Sequence, residues 1–524
     1  MLLRFSLTVW VLAALASLVA SQAYPITGVQ VAAGSAVPYR KNINILYKNG
    51  GAPWDLYLRS LQDLYAQDAN NRLSYFQIAG IHGRPYIEWN NAGRRNTNGW
   101  QGYCPHGEAL FLPWHRPYVL AFEQRLVETA IRLANQYPAA HRATYVKAAQ
   151  TLRAPFWDWG YDARVPPVTV PNTLPVRVPN GSGLRTIQIS NPLRYYRFPQ
   201  SAIDQRFGSF SRDAQVFKCR APQNYPNSAN AAMARRSYRS WTYDAMTRSA
   251  SFEEFASTGS SGISLEQIHN AVHWDGSCGF QFLDADYSAF DPLFMLHHAN
   301  VDPAAPASAP PGGTSIGPNS PLQPFFAAPG RFHTPNSVRS IRGFGYTYEG
   351  LEYWKKNDGQ LQRDATALIN KYYATGAARP QVRKRENEEV TRYFAQIKVN
   401  VEELQRPCAI ELFANVTSVG NFIVMKQPAQ GLFYGKFSLD KAADPVELAD
   451  TETKVVVSDL LAALRVQITK HDGTVQALES VPSFKLELEN VDVIPPETDT
   501  ELPEYTDAEK VTAPKEDLAA APPS

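Results

Sequence analysis

The sequence predicts two parts: a mainly α-helical domain over residues 24–373 and a β-sandwich-like domain over 390–494. Three observations carry this. Apolar residues recur at helical spacing in the first part, as at Trp54, Leu58, Leu61 and Leu64. Alternation of period two takes over after residue 390: Tyr393, Ala395, Ile397, Val399 and Val401, later Val466 and Ile468, then Phe484, Leu486 and Leu488. Between the two, residues 374–389, "ATGAARPQVRKRENEE", form a charged linker containing Gly and Pro. A chain of 524 residues also exceeds one ordinary core, so length alone suggests two domains.

The elements follow in chain order. Residues 1–23 read as a signal peptide: Arg4 gives the positive region, "FSLTVWVLAALASLVA" the apolar core, and "SQA" the small-residue cleavage site. Secretion is the expectation, and no later run reaches membrane-spanning length. "WDLYLRSLQDLYA" predicts a helix over 54–66, and "RPYVLAFEQRLVETAIRLANQY" a second, with Pro117 in its first turn, where a missing N–H costs little. Residues 162–230, rich in Pro, Asn and Arg, read as long loops. Helical pattern returns at "SLEQIHNAVHW", with Ser264 as N-cap. The stretch 303–340 is rich in Pro, Gly and Ser. The tail, 495–524, is acidic and rich in Pro and Ala, which predicts disorder.

Composition excludes some functions. With 51 basic and 49 acidic residues, charge offers no argument for a nucleic-acid or membrane-surface partner. Four cysteines, Cys104, Cys219, Cys278 and Cys408, are too few for a disulfide scaffold. Two sequons, at Asn180 and Asn415, become usable on a secretory route.

The histidines are not scattered. His82, His106 and His115 lie in the first helical half; His269, His273, His297 and His298 lie in the second. His269 and His273 are i, i+4 on one predicted helix, so both rings leave the same face. A single pair of this kind is weak evidence for a metal. Two sets of three, with no carboxylate between them, point to two ions in an all-nitrogen environment, which suits copper better than a hydrolytic zinc. His141, His333 and His471 show no partner pattern and read as surface or structural.

The segment "YCPHGEALFLPWHRPYVLAFEQ" resembles the copper-A signature of the tyrosinase / polyphenol oxidase family, the type 3 dicopper proteins. "EQIHNAVH" with "DPLFMLHHANVD" resembles its copper-B signature, "IHGRPY" the first copper-A ligand of fungal members, and "GFGYTYEGLEYW" the tyrosine motif (Tyr346, Tyr348) that ends the family's catalytic domain. The resemblance implies a four-helix-bundle catalytic domain. It implies copper A on His82, His106 and His115, and copper B on His269, His273 and His298. Adjacent helical rings diverge by about 100°, so one ion is not expected to take both His297 and His298. Phe294, four residues before His298, stands where the family has an aromatic gate. Cys104-Pro105-His106 matches the fungal pattern of a thioether joining Cys104 to the His106 ring. Beyond it, a Cys219–Cys278 disulfide with Cys408 left over is one open pairing.

The implied function is a secreted, copper-dependent phenol oxidase using O2 as co-substrate on small phenols, with a role in melanin formation. Two copper ions supply O2 with one electron each. Glu266 and Asn270, i, i+4 on one helix, match a pair proposed in the family to hold a water that takes the phenol proton. Other readings stay open: a catechol or o-aminophenol oxidase, toward which bulky Trp274 could tilt selectivity, a hemocyanin-type O2 binder, or a non-redox zinc relative. The β domain resembles the family's C-terminal shield, with Phe433 or Tyr434 as a candidate plug and Arg383-Lys384-Arg385 as a candidate protease site that would end latency. One departure stands out. Pro303 follows Asp302, where the family continues the copper-B helix, so that helix is expected to be short and copper B less securely held.

Overall fold

The computed structural model describes residues 23–94, 100–210, 215–216, 224–276, 281–302, 316–375, 390–443 and 451–518. The expected signal peptide (apart from residue 23), Cys219, Cys278, the Pro-rich run from Pro303 and the basic triplet at 383–385 lie outside the described residues.

The helical part contains α1 (Gly51–Ala66), α2 (Tyr75–Gly80), α3 (Phe111–Ala134), α4 (Tyr238–Arg248), α5 (Leu265–Asp275), α6 (Leu293–Val301) and α7 (Asp358–Tyr373). Helix α1 packs along α3, α6 crosses α3, and α5 packs against α4. Their starts follow local chemistry. Ser264 caps α5 by accepting from the Gln267 N–H at 3.1 Å, as its position predicts. Helix α7 opens with a reciprocal capping box between Asn357 and Gln360.

Helix α3 corrects one expectation. It begins at Phe111, so Pro113 occupies the first turn, while Pro117 sits inside the helix. An interior proline removes one backbone hydrogen bond. The surrounding side chains are buried from Phe111 to Glu123, and that burial outweighs the local loss. The loop-rich stretch also contains more order than its composition suggests. A hairpin, β1 (Thr173–Asn180) and β2 (Gly183–Ser190), turns at the exposed Asn180-Gly181. Gly181 has φ of 57°, a conformation favourable to glycine.

The second part contains β3 (Val390–Asn400), β4 (Cys408–Ala414), β5 (Thr417–Val424), β6 (Leu432–Ser438), helix α8 (Thr453–Ala463), β7 (Leu464–Lys470), β8 (Val475–Gln476), β9 (Lys485–Ile494), β10 (Glu504–Tyr505) and β11 (Glu509–Thr512). One sheet runs β6-β3-β9-β10, with β11 also on β9; the other runs β8-β7-β4-β5. The alternating residues of β3, Tyr393, Ala395, Ile397 and Val399, are buried, and so are Arg392, Phe394 and Gln396 on its other face, which meets Asp244 and Arg248 of the helical part. The expected disordered tail is contradicted over 504–518. Its two short strands pair with β9, and Ala513 and Leu518 are buried. The acidic composition hid these few apolar anchors, so the β domain extends past residue 494.

The two parts are tied by polar contacts. Gln267 of α5 makes a reciprocal pair with the Lys436 backbone of β6, both bonds at 2.9 Å. Arg392 of β3 binds Asp244 of α4 in a buried bidentate pair at 2.7 and 3.1 Å and also reaches Asp440. Asn370 of α7 donates to the carbonyls of Asp499 and Glu501.

Candidate metal centre

Four helical segments bring six of the histidines together. His82 follows α2, His115 lies in the second turn of α3, His269 and His273 face inward from α5, and His298 comes from α6. His106 sits on the loop before α3. All six are buried.

The second set closes into a small triangle. The Nε2 atoms of His269 and His273 are 2.9 Å apart, those of His269 and His298 3.2 Å, and those of His273 and His298 3.4 Å. Imidazole–metal bonds of about 2.0–2.1 Å would meet an ion just off the plane of that triangle. Two of the three rings are steered from the other nitrogen, while His298 Nδ1 is buried with no hydrogen-bond partner among the described residues. His273 Nδ1 is 2.6 Å from the Phe282 carbonyl, and His269 Nδ1 is 2.9 Å from Asn270 Oδ1. A carbonyl partner requires Nδ1 to carry the proton, which leaves Nε2 as the donor to a metal.

In the first set two rings follow the same design, and His106 Nδ1 is buried with no hydrogen-bond partner among the described residues. His115 Nδ1 donates to the Phe111 carbonyl at 2.7 Å, and His82 Nδ1 to the Ala285 carbonyl at 3.2 Å. His82 Nε2 is buried without a hydrogen-bond partner among the described residues. The ring centroids of His82, His106 and His115 lie 5.5–6.2 Å from one another. The two sets touch: the His115 and His298 rings stack at 4.5 Å. A buried polar atom with no partner is costly, and an ion between these rings would remove that cost. The residues fit two copper ions.

Burial keeps these rings neutral, which is the ligand form. It pushes His82 down to about 4 and His115 to about 3. His269, His273 and His298 are held well below the ordinary histidine value, first by burial and then by neighbouring imidazoles.

His297 is brought into the cluster but not into the triangle. Its ring stacks on His269 at 4.8 Å, and neither of its nitrogens has a hydrogen-bond partner among the described residues. Phe294 stacks on His298 at 4.0 Å and meets His82 edge-on at 4.9 Å, so it lies against both sets. Cys104 Sγ lies among the first set, 3.3 Å from His115 Nε2 and 3.7 Å from His106 Nε2. Cys408 is a buried thiol outside any disulfide.

Glu266 and Asn270 share a face of α5, but their partners differ. Glu266 accepts from the Gly107 N–H at 2.7 Å, and from the Thr258 N–H and hydroxyl at 2.9 and 3.0 Å. Burial pushes its carboxyl up to about 7, and those donors pull the other way. The Asn270 amide donates to the Ile423 carbonyl of β5 at 3.3 Å. Phe433 of β6 packs on Gly107, next to His106: a Cβ at Gly107 would lie 2.5 Å from the Phe433 ring.

Sequence reasoning missed what ends α6. Asp302 closes the helix by donating its N–H to the His298 carbonyl. Its buried carboxylate pairs with Arg40 and with Arg116 at 2.6 Å, and accepts from the Tyr346 hydroxyl at 2.5 Å. Arg40 in turn meets Glu123 at 2.7 Å. The helix is short, as Pro303 implies, but its end is anchored. His333, read as structural, donates or accepts at both nitrogens with Ile26 and Ser337.

Comparison with known proteins agrees with this geometry. Residues 72–304 match the family profile described as the common central domain of tyrosinase. A tyrosinase from Podospora anserina is 31% identical over 423 residues, 70% of this chain and 72% of that relative. Polyphenol oxidase 3 of Agaricus bisporus is 33% identical over 286 residues, 50% of this chain and 49% of its own. Among solved structures, a recombinant mushroom tyrosinase superposes with a TM-score of 0.77 at 21% identity, covering 94% of this chain and 98% of that one. The chain belongs to the tyrosinase and polyphenol oxidase family of copper oxidoreductases.

Proposed function

We propose that the protein is a secreted phenol oxidase, made in a latent form, that ortho-hydroxylates monophenols and oxidises o-diphenols to o-quinones. The observation that carries this reading is the Nε2 triangle of His269, His273 and His298 set against the buried rings of His82, His106 and His115. When bound, the two coppers supply O2 with one electron each, and oxygen is transferred to the phenol ring. The chain's own residues do the rest. The Phe111, Ala285 and Phe282 carbonyls hold His115, His82 and His273 in one tautomer. Phe294 supplies an apolar wall that keeps water from the rings.

Glu266 is the candidate proton acceptor, since a carboxyl near neutrality is matched to that task. Both of its oxygens are engaged by Gly107 and Thr258, and the Asn270 amide by Ile423. Support for latency comes from those same contacts: β5 and β6 of the C-terminal domain lie on Asn270 and, through Phe433, on the turn after His106. Removing the domain would free the Asn270 amide and uncover Gly107. Solved proteins of this two-part architecture include an Aspergillus oryzae pro-tyrosinase and a latent mushroom tyrosinase. A cut at Arg383-Lys384-Arg385 by a dibasic-specific secretory protease is the proposed trigger. The sequons at Asn180 and Asn415 both fall in exposed turns, which suits glycosylation on that route. A Cys104–His106 thioether is proposed too; it would make Cys104 resist alkylation in the unfolded protein.

The test is oxygen consumption by copper-loaded protein on a monophenol and an o-diphenol, before and after limited proteolysis. Turnover of both substrates, rising after the cut, is expected. Oxygen uptake that stays stoichiometric with copper would favour a hemocyanin-type carrier instead. Phe433→Ala is expected to raise the activity of the uncut protein to a sizeable fraction of the proteolysed value, because it removes the ring lying on Gly107.

A further inference from the structure

A small cavity of about 90 Å³ lies where the helical and β domains meet. Its walls come from both: Arg248 at the end of α4 and Ser261 before α5 on one side, Gln396 of β3, Lys436 of β6 and Lys510 of β11 on the other. The sheet register places these groups together. Lys436 stands opposite Gln396, and Lys510 stands directly opposite Glu489, which pairs with Phe394. Glu489 is buried and takes all three cations: Arg248 at 2.6 Å, Lys436 at 2.8 Å and Lys510 more loosely at 3.7 Å.

Glu254, whose Oε2 accepts from the Ala250 N–H at 2.9 Å, also lines the cavity, so the three cations outnumber the two carboxylates by one. Glu487, opposite Gln396 on β9, does not line the cavity. Two polar groups have no partner among the described residues: the buried Arg248 Nη1 and the Gln396 Oε1. The Arg248 guanidinium is held rigid, lying over the Phe394 ring at 3.8 Å and near Tyr505 at 5.2 Å. Burial, and then the Arg248 charge beside it, push the Lys436 ammonium below its usual value, as a surplus of positive charge should.

We propose that this cavity is a binding site for a small tetrahedral oxyanion of the phosphate or sulfate type, held by Arg248, Lys436 and Lys510. The size suits such an ion and is too small for a nucleotide or sugar. Guanidinium and ammonium donors are the groups that recognise oxyanions most strongly. Because both domains contribute, the anion binds only the docked arrangement and stabilises it by linkage. The site stands apart from the copper chemistry; only an effect on latency rests on the functional reading above.

The test is calorimetric titration of the full-length protein with sodium phosphate and with sodium sulfate, against sodium chloride at equal ionic strength. One saturable site for the tetrahedral anions is expected. Lys510 is half exposed, so Lys510→Ala should fold normally, and it should weaken binding about tenfold, the size of one charge-assisted hydrogen bond. Saturating phosphate should slow proteolytic separation of the two domains in the wild type and not in Lys510→Ala. No saturable uptake, equal uptake of chloride, or unchanged phosphate affinity in Lys510→Ala would each overturn the proposal.

Discussion

His298→Ala should bind about one copper ion per chain instead of two and should lose phenol turnover, whereas His297→Ala should keep both ions. The two residues are adjacent and equally buried, yet they do different things. His298 contributes Nε2 to the triangle with His269 and His273, at 3.2 and 3.4 Å. His297 lies flat against the His269 ring in the same buried four-histidine group, but neither of its nitrogens comes within hydrogen-bond distance of the three Nε2 atoms of the triangle. Loss of turnover is expected because His298 would hold one of the two coppers, and each copper, when bound, would supply one electron to O2. The measurement is copper per chain by elemental analysis alongside oxygen consumption. If His297→Ala lost one copper and His298→Ala kept two, the assignment would be reversed.

Asp302→Asn should destabilise the helical domain by about 3–5 kcal/mol, the usual cost of removing one partner from a buried ion pair. The change would leave Arg40 and Arg116 buried beside a neutral amide. Glu123 would still hold Arg40, but Arg116 would keep only the Val338 and Asp302 backbone carbonyls. The loss would reach copper B, since Asp302 is the residue that closes α6 one turn after His298. Chemical denaturation followed in the catalytic domain measures it. The same carboxylate predicts a pH dependence. Burial alone would raise its pKa, but Arg116, Arg40 and the Tyr346 hydroxyl outweigh that and hold it below the ordinary value of 3.8. Its native form therefore binds fewer protons than the unfolded form in that window. The stability it contributes is present above the ordinary carboxylate value and is lost as pH falls through the lowered one. Asp302→Asn should be less stable at neutral pH and should show a flatter response to acid.

Much of the candidate site was legible because its signals are local. The i, i+4 spacing of His269 and His273 places both rings on one helix face whatever the helix packs against. The long motifs around His106, His115 and His298 marked the remaining ligands by resemblance. The β domain was legible for the same reason: period two in β3 needs only the strand's own residues. The misreadings share the opposite cause. Pro117 looked like a helix start, since the cost of an interior proline is offset only by burial that the neighbouring sequence does not display. The acidic tail looked disordered because the anchors of 504–518 are few, and its order comes from pairing with β9, which its own composition does not display.

Local pattern was therefore enough to specify which side chains would meet a metal and on which kinds of element they would sit. It could not say that His298 and not His297 completes the triangle, beyond what resemblance implied. Nor could it show that Asp302 ends its helix in a charge network drawn from Arg40, Arg116 and Tyr346, or that Ile423 and Phe433 lie on the site. Those facts depend on contacts between residues tens to hundreds of positions apart. Such contacts are set by how whole elements pack, and packing is decided only when the chain is folded.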